Sequence, residues 1–473
     1  MNKFQNRTKI VATIGPKVSD RKNLIKLYKA GMNIARLNGS HNNLAWHEKT
    51  IKNLKDYLPD VPILFDIPGK KIRTCNLINE PEFKKNDIII LTTNISYKGN
   101  QKVPINNTKL HLLLKPNDKF FADDGTLAFK VKKIIKKDIY CYALNDGKLK
   151  NSKGINVPHI NLGIDKLSKK EISYINFAVK NSVNFIGVSF VESKTYIKEI
   201  RNIIKQDKLK IIAKIENQGG LNNMQSIIKH SDGIMIDRGD LSIETNIESI
   251  AINQKEIIKT CQMLSKPVIV ATEMLDSMIL KPFPTKAEIV DISNAVLDGA
   301  SCVMLSGETA VGNFPTEAIK IMSKVSKKIE ENNNINKDKF SQDIPKAIGH
   351  SIAMLCEVLP ITKVIAITIS GFAARALSAQ NIKQPILAIS NDYFNAKGFN
   401  LYRGTTGIYV KVPFKKNSLA HVSQCLKILW EKSLINSKDV ILVTAVGYPN
   451  TGNRMNLIQT HNVKDLKNTF KWK

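Results

Sequence analysis

The chain has 473 residues, enough for two or three domains, and its 43% hydrophobic content excludes a disordered polymer. Its formal charge of +30 rests on 71 basic against 41 acidic residues, but only nine of the basic residues are arginine. The lysines are scattered through every segment instead of gathering on one element beside aromatics, which argues against specific nucleic-acid binding and for a solvated face that attracts anionic substrates.

Six separated cysteines without a C-x-x-C pair fit a reducing compartment and neither a disulfide framework nor a zinc site. The amino terminus MNKFQNRTKIVATIG lacks the apolar core of a signal peptide, and no apolar run reaches the ~20 residues that span a bilayer. The sequence therefore predicts a cytoplasmic protein without a membrane segment.

From Thr8 to about Thr74, and from about Gly154 to Glu330, short β-branched runs alternate with stretches of helical periodicity, the pattern of βα units. Eight such runs lie near Lys9 to Ile14, Ile34 to Leu37, Ile63 to Phe65, Phe185 to Phe190, Ile211 to Ile215, Gly233 to Ile236, Val268 to Ala271 and Cys302 to Leu305. Eight repeats predict an α/β fold, a (β/α)8 TIM barrel over 1–73 and 154–342. The stretch 74–153 interrupts it with alternating runs such as Asp87 to Thr92, Thr126 to Val131 and Asp138 to Ala143. It reads as a small inserted β lid domain. Over 343–473 a helix at Ala347 to Val358 and strands near Val364 to Ile369, Ile386 to Ile389, Ile408 to Val410 and Val440 to Thr444 predict a separate open α/β domain.

Barrel chemistry gathers at the carboxyl ends of the strands, and there nearly every run ends in polar residues. The second is followed by Asn38, Ser40 and His41, the third by Asp66, and the fourth by Ser189. The sixth is followed by Arg238, Gly239 and Asp240, the seventh by Thr272 and Glu273, and the eighth by Ser306 and Glu308. In AKIEN, after the fifth run, Lys214 and Glu216 are two apart and so leave the strand on one side, a cation beside a metal ligand. Alone, K-x-E is an ordinary ion pair. The combined set suits a phosphate and metal site.

The motifs RTKIVATIGP, AGMNIARLNGSH, KGINVP, AKIEN, MIDRGDL, NAVLDGASCVMLSGETAVG and FPTEA, in this order, resemble those of the pyruvate kinase family over almost the whole chain. The resemblance implies transfer of the phosphoryl group of phosphoenolpyruvate to ADP, a magnesium or manganese cofactor and a homotetramer. It further implies that Lys214 and Arg36 offset phosphoryl charge, that Glu216 and Asp240 hold the divalent ion, and that the amides of Gly239 and Asp240 hold the substrate carboxylate. Thr272 would stand near the enolate carbon, while Asn38, His41, Arg73 and Lys153 would contact the nucleotide.

Many members bind potassium through residues matching Asn38, Ser40, Asp66 and the carbonyl of Ile67. Here the adjoining run is DIPGKKIRT, with Lys71 where those members carry glutamate. An ammonium there would replace the monovalent ion, so weak or no potassium activation is expected. Asp237 stands where the family usually has alanine, and either raises the phosphoenolpyruvate KM or pairs with Arg238. Glu273 replaces a usual glutamine, Lys286 an arginine and Ser301 an aspartate. In TISGFAA, Thr368, Ser370 and Gly371 match a sugar-phosphate loop, but Phe372 and Ala373 remove polar groups, which puts an effector in doubt. A catalytically feeble barrel, a basic scaffold and another phosphoenolpyruvate enzyme are the competing readings.

Overall fold

The computed structural model describes residues 6–69, 71–123, 125–158, 160, 166–205, 208–332, 344–414, 419–446 and 455–472. Lys70 and the expected boundary at 342–343 lie outside the described residues. Eight parallel strands close into a barrel: β1 (Lys9–Thr13), β2 (Ile34–Asn38), β3 (Ile63–Ile67), β4 (Phe185–Val188), β5 (Lys210–Ile215), β6 (Gly233–Asp237), β7 (Val268–Ala271) and β8 (Cys302–Leu305), with β8 back beside β1.

Side chains on a strand alternate between faces, and this chain uses the alternation to stack an apolar layer beneath a polar one. Val11, Ile34, Leu64, Phe185, Ile212, Met235 and Ile269 share one buried cluster inside the barrel, while Ile10, Ala35, Phe65, Ile211 and Ile234 belong to the larger core with the surrounding helices. Two residues further along, the inner face reads Thr13, Arg36, Asp66, Gly187, Lys214, Asp237 and Ala271. The site is therefore the next layer above a dry floor.

The strand expected to reach Phe190 stops at Val188. Phe190 takes a left-handed backbone (φ 52°) and turns its N–H to Glu216 Oε2, 2.5 Å away, so the ladder ends where a site carboxylate needs a donor.

The insertion forms a seven-stranded sheet and a two-stranded ribbon over their own apolar core, with one short helix, Leu110–Leu113, that the all-β expectation lacked. The chain enters it through strand Ile72–Arg73 and leaves through Gly154–Asn156, which pair antiparallel. Beyond the barrel, strands Thr405–Tyr409, Ile386–Ser390, Lys363–Ile367 and Val440–Ala445 are parallel, and an unanticipated fifth, Leu457–Asn462, is antiparallel at the edge. The strand expected at Ile408 begins earlier because Gly404, at φ 68°, makes the preceding turn.

Candidate active site

One open cleft of about 2080 Å³ runs over the carboxyl end of the barrel and under the lid. Arg36, Asn38, Ser40, His41, Asp66, Lys71, Arg73, Lys214, Glu216, Gly239, Asp240 and Thr272 all line it. Of the proposed side chains, Lys153 is not among the lining residues, and it instead ion-pairs with Asp123 at 2.6 Å. Ile67 contributes its carbonyl inward, where it accepts from Ser189 Oγ at 3.2 Å.

Charge is concentrated at the strand ends. Arg36 places Nη2 and Nε on Asp66 Oδ2, at 2.5 and 3.1 Å, and Nη1 on Thr13 Oγ1 at 3.0 Å. Gly187 makes room for this carboxylate, since a Cβ there would lie 2.9 Å from Asp66 Oδ1. The Lys214 ammonium lies 2.7 Å from Glu216 Oε1, 2.9 Å from Asp237 Oδ2 and 3.5 Å from Asp66 Oδ2, and it donates to Ser189 Oγ at 3.3 Å. Burial works against its charge, but the carboxylates of Asp237, Asp66 and Glu216 outweigh burial and hold Lys214 well above the usual lysine range.

The neighbouring acids diverge. Burial pushes the Glu216 carboxyl up to about 8, with Asp237 and Asp240 adding to the rise and Lys214 opposing it. Burial also acts upward on Asp237, but Lys214 overcomes it and leaves that carboxyl below the usual range. One oxygen each of Glu216, Asp237 and Asp240 falls within 4.8 Å of the others. This all-oxygen set fits a hard divalent ion, and buried Glu216 Oε1 has the Lys214 ammonium 2.7 Å away.

At the end of β7, Thr272 and Glu273 both adopt left-handed backbones, with φ of 69° and 55°. Two such non-glycine residues in succession store strain, which a site tolerates when it fixes a side chain. Here the Thr272 hydroxyl accepts from the Gly239 N–H at 2.8 Å and donates to Ala271 O at 2.5 Å.

Of the two readings of Asp237, pairing with Arg238 is not what forms: the Arg238 guanidinium turns to Asp291 Oδ1 and Thr272 O, at 2.7 and 2.6 Å. Lys71 reaches Asp240 Oδ1 at 2.6 Å, and Asn38 Oδ1 is engaged by the Ser40 N–H at 3.1 Å. Sequence reasoning missed Thr13, which two-residue spacing from Val11 could have found. It also missed the buried pair Asn156 and Glu244, joined at 2.7 Å, for which no local signal exists.

Comparison with known proteins follows the same lines. Residues 5–319 match the family model described as pyruvate kinase, barrel domain, and residues 346–461 match pyruvate kinase, alpha/beta domain. A pyruvate kinase of Clostridium perfringens is 36% identical over 94% of this chain and 96% of its own length. One of Thermotoga maritima is 35% identical over 94% and 98%. The crystal structure of a pyruvate kinase from Cryptosporidium parvum superposes with a TM-score of 0.88, at 32% identity, over 97% of this chain and 96% of the other.

Proposed function

The chain belongs to the pyruvate kinase family and is a phosphotransferase of glycolysis, and we propose how its own residues move the phosphoryl group of phosphoenolpyruvate to ADP. A terminal oxygen of the ADP β-phosphate attacks phosphorus, the bond from phosphorus to the enol oxygen breaks, and the enolate left behind takes a proton at carbon to become pyruvate. The convergence of Arg36 and Lys214 with Glu216 and Asp240 at the ends of β2, β5 and β6 carries this reading.

Phosphoryl transfer needs fixed positive charge around the migrating group, because positioning and electrostatics supply most of its catalysis. Arg36 is held rigid by Asp66 and Thr13, and Lys214 by its three carboxylates, so both cations are in place before substrate arrives. Glu216 and Asp240 would hold magnesium or manganese, which would offset charge on the phosphoryl and enolate oxygens. The amides of Gly239 and Asp240 at the start of helix Arg238–Glu244 would receive the substrate carboxylate, in place of the Thr272 hydroxyl that now occupies the Gly239 N–H. Thr272 then faces the enolate, where its hydroxyl can pass a proton through water.

Asn38, His41 and Arg73, which line the cleft, would contact the nucleotide, and Lys153 stands at the lid exit strand. Potassium is expected to activate weakly or not at all, with Lys71 supplying a fixed cation at Asp240. A homotetramer is supported by apolar side chains left exposed on the barrel surface, among them Leu280, Phe283 and Val290. A cytoplasmic location is supported by six free thiols. The barrel over 1–73 and 154–342, the lid over 74–153 and a domain over 343–473 are the units proposed, in keeping with the two matched family segments.

Pyruvate formation from phosphoenolpyruvate, ADP and magnesium tests the assignment, with Lys214→Met as control. Turnover that falls about 10³-fold or more in the control is expected, the scale of losing a transition-state charge partner. A wild-type protein that forms no pyruvate would overturn the residue roles.

A further inference from the structure

The register of β5 and β6 pairs Ile215 with Ile236, so the residues that follow, Glu216 and Asp237, stand side by side at the tops of adjacent strands. Two carboxylates in that position repel each other unless a cation lies between them. Lys214 is that cation, 2.7 Å from one and 2.9 Å from the other. All three are buried, with Lys214 5% and Asp237 7% exposed, so solvent screens the attraction little.

Asp237 has no competing claim on it from its neighbour, because Arg238 is committed to Asp291 and to the carbonyl of Thr272. Asp66, the remaining acid near Lys214, is 3.5 Å away and has its Oδ2 already engaged by Arg36 at 2.5 Å. The two shortest contacts of the ammonium thus lie at the edge between β5 and β6, with Asp66 farther off on β3. A phosphate that approaches Lys214 competes with these acids for it.

We propose that Asp237 is a positioning residue that sets the affinity for the phosphorylated substrate, by holding the Lys214 ammonium so that the substrate phosphate has to compete for it. This rests on Lys214 being the phosphate-facing cation of the reading above. Asp237 weakens binding of phosphoenolpyruvate, and the neutral variants bind it more tightly. A role for Asp237 as a ligand of the divalent ion would have the opposite sign, since its removal would then weaken binding.

Direct titration calorimetry of phosphoenolpyruvate into the magnesium-loaded enzyme, without ADP, separates these outcomes. Asp237→Asn and Asp237→Ala both leave Lys214 with Glu216 and Asp66 as partners, so the fold keeps a charge pair in either. Each is expected to bind phosphoenolpyruvate about tenfold more tightly, the low end of the coupling between close charges, with KM falling by more than kcat changes. Asp237→Glu is expected to restore weak binding. In a Lys214→Met background the Asp237→Asn effect should vanish, as a double-mutant cycle requires of a contact made through Lys214. Unchanged or weaker binding in both neutral variants overturns the proposal, and so does an effect that persists without Lys214. Full turnover by Lys214→Met alone would instead overturn the assignment of Lys214, which keeps the two failures distinct.

Discussion

Lys71 Nζ lies 2.6 Å from Asp240 Oδ1, which ties the residue that leads into the lid to the helix Arg238–Glu244. The lid's exit strand is tied to the same helix, through Asn156 Nδ2 on Glu244 Oε1 at 2.7 Å. The residue before the entry strand and the exit strand are thus both bonded to the seven-residue helix that presents Gly239 and Asp240 to the cleft.

Reversing the charge of Lys71 tests the link. Lys71→Glu sets a carboxylate against Asp240, and only an added cation relieves the repulsion. The variant is expected to gain about tenfold in rate when potassium replaces a bulky organic cation, whereas the wild type gains less than about twofold, since a tenfold change corresponds to one close charge contact. A strong potassium response in the wild type would contradict the role given to Lys71.

Arg36 is not exchangeable for lysine. Its fork makes two bonds to Asp66 and a third to Thr13, and an ammonium is a point charge that cannot reproduce that geometry. Arg36→Lys is expected to lower kcat/KM about 10²-fold, as for the loss of one preorganised donor. Steady-state kinetics beside a thermal melt distinguishes this from simple unfolding, which would move both together.

The buried pair Asn156 and Glu244 makes stability depend on pH. Burial pushes the Glu244 carboxyl up from 4.5 to about 7, while the bond from Asn156 and the charge of Lys71 pull the other way. Between those values the folded state binds more protons than the unfolded state, so stability contributed by this group falls as pH rises from about 4.5 to 7. Glu244→Gln still accepts the Asn156 bond but never ionises. In urea unfolding its stability relative to wild type should rise between pH 5 and pH 8, and a gap that is the same at both would remove Glu244 as the cause.

Two glycines should behave oppositely when given a methyl group. At Gly407 a Cβ would lie 1.7 Å from the carbonyl oxygen of Ala396, backbone against backbone. Gly407→Ala should cost about 3 kcal/mol or more of stability, the upper range for overpacking. At Gly239 the nearest atoms would be Asp237 Oδ1 and Thr272 Oγ1, both 3.7 Å away. Gly239→Ala should fold normally and raise the phosphoenolpyruvate KM, because its methyl group projects where the substrate carboxylate approaches the amide. Melting temperatures and KM values that shifted together in both variants would defeat the contrast.

Much of the site was legible because a strand repeats every two residues. From the apolar Ile212 the inner face passes to Lys214, and from Met235 to Asp237, so the height of these groups in the barrel follows from counting. The edge strand Leu457–Asn462 escaped because its LIQTHN pattern, half exposed, carries little apolar contrast. The end of β4 at Val188 escaped because a carboxylate from the next strand captures the Phe190 amide.

The sequence by itself determined the eight-strand order, the polar layer above the apolar one, and the residue types that phosphoryl transfer requires, since these depend on local period and composition. Tertiary structure alone decided which acid each cation takes. Lys71 and Asp240 are 169 positions apart in the chain, and nothing near either residue distinguishes Asp240 from Asp66 as the partner. Likewise Asp237 is adjacent to Arg238 in sequence, yet it binds Lys214 from the neighbouring strand. Adjacent side chains on the path from β6 into its helix diverge, whereas register brings the ends of β5 and β6 together inside a buried cleft, where unscreened attraction selects the pairing.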